Sequence, residues 1–140
     1  MKGLATLIKL CKRTLDELRR KMVALENEKE QLELLSKTLN EELEKEMELA
    51  AKSTEMRGFF GGFAKRIKTR QDKIFKEIVE LNKQMERLGV EISDAFSELK
   101  KYEIAQENEK LRVAAEERRK DTIALDEIAS QQYHRRTEDQ

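Results

Sequence analysis

Apolar residues recur at alternating steps of four and three from Leu4 onward: Leu4, Ile8, Cys11, Leu15, Leu18, Met22, Leu25, Lys29, Leu32, Ser36, Leu39, Leu43, Glu46 and Ala50. Eleven of these fourteen positions are apolar. A second run follows the same rule through Ile67, Gln71, Ile74, Ile78, Leu81, Met85, Leu88, Ile92, Ala95, Leu99 and Tyr102, broken only by Gln71. A mean step of 3.5 residues brings each run onto one narrow stripe of a helix, so the pattern predicts two long helices joined by a coiled-coil seam. Lys29, Ser36 and Glu46 interrupt the first seam, as polar positions that fix register do at some cost in stability. Glu17–Lys21, Glu33–Lys37, Glu41–Lys45 and Glu48–Lys52 stand in the favourable i,i+4 order on the solvated side. Gly89 lies beside the second seam.

Between the runs stands Arg57-Gly58-Phe59-Phe60-Gly61-Gly62-Phe63, which holds three of the chain's five glycines. Three glycines inside a helix would each cost about 1 kcal/mol relative to alanine, and glycine reaches the positive φ that a reversal uses. The stretch therefore reads as the tip of an antiparallel hairpin, the alternative being a kink in one continuous helix. The expected limits are arm one over about 3–56, the tip over 57–63, arm two over about 64–134 and a frayed tail over 135–140. At 1.5 Å per residue the arms span roughly 80 Å and roughly 100 Å. A turn centred near residue 60 sets residue i against about residue 120 − i, with Met1 opposite about residue 119. Residues 120–140 then overhang.

Past Tyr102 the seam positions turn polar at Gln106, Glu109, Glu116 and Lys120, and a shifted stripe runs through Leu111, Ala115, Leu125 and Ala129. Ile123, Leu125, Ile128, Ala129 and Tyr133 fall in the overhang with nothing of the chain's own to cover them. Such a face is either a docking site or a frayed end. At the tip, Phe59, Phe60 and Phe63 are three of five phenylalanines. One or two of them suffice to cap the seam. With Lys65 and Arg66 following, the remainder suits contact with a protein, an anionic membrane surface or RNA.

Composition narrows the function classes. The chain has 140 residues, 41% of them charged, and lacks proline and tryptophan. That profile belongs to coiled coils rather than compact globules. Net charge is zero, which argues against a general nucleic-acid or membrane binder. The charge is blocked along the chain, however: seven Lys/Arg stand against Asp72 alone over residues 57–76. One cysteine, Cys11, has no internal disulfide partner and fits a small seam hydrophobe in a reducing compartment. No apolar run approaches a membrane span. The basic amphipathic face at Leu4–Leu10 allows at most peripheral membrane contact. One histidine and one cysteine make neither a metal cluster nor a catalytic dyad. No phosphate loop or dinucleotide fingerprint is present. The expectation is a protein that is not an enzyme and has no cofactor or metal.

Gly3-Leu4-Ala5-Thr6-Leu7-Ile8-Lys9-Leu10 at the start, and Arg118-Arg119-Lys120, Leu125-Asp126-Glu127-Ile128-Ala129 and Tyr133-His134-Arg135-Arg136 near the end, resemble the terminal segments of the FliJ family. Members of that family are the stalk and chaperone-escort proteins of the bacterial flagellar type III export apparatus. The resemblance implies an antiparallel coiled coil similar to the central shaft of rotary ATPases. It further implies that the two-terminus end inserts into a hexameric export ATPase through Leu4, Leu7, Ile8, Arg118, Arg119, Leu125, Ile128, Ala129 and Tyr133. The cytoplasmic region of an export gate membrane protein and export chaperones are the other implied partners, with no nucleic acid. The implied location is cytoplasmic, at the inner face of the cell membrane at the flagellar base. Two other functions fit the residues alone: a generic coiled-coil scaffold, and an RNA-binding arm with a basic aromatic tip.

Overall fold

A computed structural model describes residues 2–139, with side chains from Gly3 onward. Two helices account for nearly all of it: α1, Lys2–Lys52, and α2, Thr54–Glu138. They pack against each other as an all-α hairpin. Neither contains proline, and long charged side chains with high helix propensity fill their outer faces.

The seams are those the periodicity predicts. All fourteen positions from Leu4 to Ala50 and all eleven from Ile67 to Tyr102 are buried or half-buried. Leu39, 1% exposed, centres a cluster with Ile67 and Ile74, against which Leu32, Leu43, Phe63 and Ile78 pack. Lys29, Ser36, Glu46 and Gln71 stay half-buried at their seam positions. Gln71 answers its position by donating from Nε2 to the Asn40 side-chain oxygen on the facing helix. Cys11 is half-buried. Among the described residues the ion pair on α1 is Lys29–Glu33 at 4.0 Å rather than one of the expected i,i+4 pairs. Exposed lysine and glutamate gain too little from one pairing to hold it against solvent.

The reversal is not where the glycines are. Ser53 alone separates the helices, and Gly58, Gly61 and Gly62 lie inside the first turns of α2. No glycine has positive φ among the described residues. The break is a helix start: Ser53-Thr54-Glu55 supplies a residue suited to the N-cap, then an acid in the first turn of α2. The other side is tied by Arg57, whose guanidinium donates to the Ala50 carbonyl at 2.9 Å and the Ala51 carbonyl at 3.3 Å. Those oxygens at the end of α1 would otherwise lack helical donors. Helix is kept through the glycines because the second seam extends back through Phe63 and Phe60, both half-buried. Burying aromatic area offsets a propensity cost of about 1 kcal/mol per glycine.

Contacts group the chain into two compact units. The first is Arg13–Phe96, which contains the turn and the Leu39 cluster. Here Asn40 meets Gln71, and a shallow groove is lined by Ala24 and Leu25 together with Arg87 and Leu88. Residue i therefore faces about residue 111 − i. The reversal is centred about four to five residues before residue 60, and a shift at the turn doubles in the sum of facing numbers. The second unit is formed by residues 1–12 with 97–140. In it Ile8 and Leu99 are buried, and Leu4, Cys11 and Tyr102 are half-buried. The Tyr102 hydroxyl donates to the Glu98 carboxylate at 2.9 Å. That bond and the carboxylate's charge hold the phenol above its ordinary pKa, and Cys11 across the seam adds a little. Met1, expected to face about residue 119, lies outside the described residues.

Candidate interaction surfaces

Burial stops abruptly in the second unit. Glu109 is half-buried, and every residue from Lys110 to Asp139 is exposed. α2 nonetheless continues to Glu138, so residues 135–138, expected to fray, are helical and Gln140 lies outside the described residues. The overhang is a single helix of about 29 residues, roughly 43 Å long. It begins some ten residues before the expected position 120, because the turn is displaced. Its helical state without a partner rests on local terms. Arg112 pairs with Glu109 at 2.8 Å and Glu116 at 3.5 Å. Contact with the Arg112 guanidinium lowers the Glu109 carboxyl below its ordinary pKa and raises the pKa of Arg112 in turn.

Large apolar side chains are spread along this segment. Leu111, Ile123, Leu125, Ile128 and Tyr133 are all more than half exposed, Leu125 at 66%. Leu125, Ala129 and Tyr133 follow at steps of four and share a face with Leu111 and Ala115, while Ile128 lies toward its edge. Arg118 falls within that face and Arg119 beside it. The Tyr133 ring meets His134 edge-on, with centroids 6.3 Å apart.

The three N-terminal residues expected at this site are elsewhere. Ile8 is buried and Leu4 half-buried in the seam, and Leu7 is 41% exposed. With Cys11 beside Tyr102, Leu4 stands level with about residue 109. Leu125 is then about 24 Å farther along α2. Leu4 and Ile8 hold the hairpin, and the end of the overhang belongs to α2 alone.

The first unit holds the other candidate surface. Phe59 is 76% exposed, and Lys65 and Arg66 are exposed with it. Phe59 and Arg66, seven residues apart, share a face. Phe60 and Phe63 are withdrawn into the seam, and Phe63 touches the Leu39 cluster. Phe75, at 67% exposure, is an aromatic the sequence reading passed over. Its one signal is that it falls a single position off the Ile74 seam site. Among the described residues no group of His, Cys, Asp and Glu is placed to hold a metal ion, and no helix is long and apolar enough to cross a membrane.

A family model described as the flagellar FliJ protein matches residues 1–138. The chain belongs to the FliJ family. It is accordingly a non-catalytic component of the flagellar export apparatus. No curated protein and no solved structure matches the chain. Of the three functions that fit the residues, membership in the FliJ family supports the first. It also fits a hairpin whose seam is internal and whose α2 end is bare.

Proposed function

We propose that the bare end of α2 inserts into the hexameric export ATPase, while the paired stretch contacts the cytoplasmic region of the export gate and export chaperones. On this reading the protein is cytoplasmic and sits peripherally at the inner face of the cell membrane at the flagellar base. The observation that carries the proposal is the uninterrupted exposure from Lys110 to Asp139, with Leu125, Ile128 and Tyr133 uncovered on a formed helix. Apolar side chains held on a helix without internal cover are suited to docking in a partner's groove. Arg118, Arg119, Arg135 and Arg136 add positive charge that speeds docking and makes it sensitive to salt. A single helix is slimmer than the two-helix end implied by the resemblance, so it can enter a narrower channel. Phe59, with Lys65 and Arg66, offers a second contact near the turn. Exposed Leu34 and Phe75 leave apolar surface for the gate and the chaperones.

Deleting Asp121–Gln140 tests the assignment. The deletion removes residues that are all exposed where described, so helicity per residue and melting temperature should change little. Binding to the ATPase and its stimulation should be lost. A truncated chain that still stimulates the ATPase fully would put the contact elsewhere.

A further inference from the structure

The overhang differs in chemistry around its circumference. The seam side of α2 in the second unit is fixed by Leu99, Tyr102, Gln106 and Glu109, which with Glu103 are its buried and half-buried positions. Residues two apart on a helix are about 200° apart, so Leu111 lies nearly opposite both Glu109 and Val113. The 4–3 rule carries the same far side through Ala115, Arg118, Thr122, Leu125 and Ala129. Thr122 satisfies its hydroxyl by donating to the Arg118 carbonyl at 3.0 Å, so covering it costs little. Charge divides along the same line. Arg118 and Arg136 fall in the far-side stripe and Arg119 beside it, against Asp121 and Asp126 at the margins. Glu116, Glu117, Glu127 and Glu138 lie on the seam side, with Lys120 and Arg135 among them.

Resting on the reading that this end binds the export ATPase, we propose that the ATPase seats on the far side of α2, turned away from α1. We infer that the complementary surface is an apolar groove bordered by aspartate and glutamate. Leu111, Leu125 and Ala129 enter the groove, and Arg118, Arg119 and Arg136 meet its carboxylates. A second copy of this chain is the poorer occupant. Pairing two such stripes sets arginine against arginine and leaves the glutamates outward.

Binding of the full-length chain to the purified hexameric ATPase tests this by matched substitutions on the two sides. Leu125→Glu and Arg118→Glu alter the far side; Ile123→Glu and Lys120→Glu alter the seam side. All four residues are exposed, so circular dichroism should match the unaltered chain. The far-side pair should weaken binding about tenfold or more, and the seam-side pair less than about threefold. Arg118→Glu should also flatten the salt dependence of binding, which Lys120→Glu should not. Equal loss from both sides, or a greater loss from Ile123→Glu, overturns the assignment of the face. Sedimentation of the chain alone as a dimer, dissociated by Leu125→Glu, overturns it in favour of a second copy. Loss on deleting Asp121–Gln140 with all four substitutions alike defeats only the facing. If neither the deletion nor any substitution affects binding, the ATPase assignment itself fails.

Discussion

Residues 13–96 and residues 110–138 are both continuous helix apart from Ser53, yet they use side chains in opposite ways. In the first stretch every seam position from Leu15 to Ala50 and from Ile67 to Ala95 is at least half-buried. In the second no side chain is covered, although Leu111, Leu125 and Tyr133 are as apolar as the seam residues. Helix formation and burial thus have separate causes here. Local propensity and i,i+3 or i,i+4 pairs such as Arg112 with Glu109 and Glu116 support the bare helix. A partner helix is what turns an apolar stripe into a core.

The sharpest way to break the contrast is to place a charge on each kind of stripe. Leu39→Asp buries a carboxylate at a position 1% exposed, in a cluster with no cation among its members. It should destabilise the hairpin by about 4 kcal/mol or more, read as a collapse of the melting transition. Leu125→Asp, at 66% exposure, should leave the same transition nearly unmoved. Equal loss in the two variants would show that the overhang is covered within the chain.

Glycine gives the next test. An added Cβ at Gly58 or Gly61 meets nothing within 4 Å, and at Gly62 only Arg66 Nη1 at 3.9 Å. Gly→Ala at each should therefore stabilise α2 by about 0.5–1 kcal/mol per site, measured by denaturant unfolding. A true glycine turn would respond with a loss instead. Arg57→Ala should cost about 1 kcal/mol by releasing the Ala50 and Ala51 carbonyls, and should act on the turn alone.

Register is sharpened by Asn40→Cys with Gln71→Cys, which should cross-link within one chain at low concentration. Lys37→Cys with Lys83→Cys, which suits a turn at residue 60, should not. The smallest effect is expected at the margin of the overhang. Glu109 has its pKa lowered in the fold by Arg112. Its contribution is therefore present above the unfolded carboxyl value and disappears as pH falls through the folded one. Melting of the unaltered chain and Glu109→Gln should differ slightly at neutral pH and converge in acid.

The periodicity alone set the two helices, their antiparallel pairing and the seam from Leu4 to Ala50 and from Ile67 to Tyr102, because a 3.5-residue repeat names its face without reference to the partner. It also marked Leu125, Ala129 and Tyr133 as apolar residues beyond the seam. It did not disclose where the chain reverses. The glycines carried a strong local preference against helix, whereas Ser53-Thr54-Glu55 carried only an N-cap signal. Withdrawal of Phe60 and Phe63 into the seam, with Phe63 on the Leu39 cluster, decided between them, a gain that exists only once the helices are paired. From that single shift followed the register and the length of the bare helix. The withdrawal of Leu4 and Ile8 into the seam follows from the pairing itself. Tertiary packing alone decided these things, since the alignment of two regular stripes is set by where they are joined and by which side chains then meet.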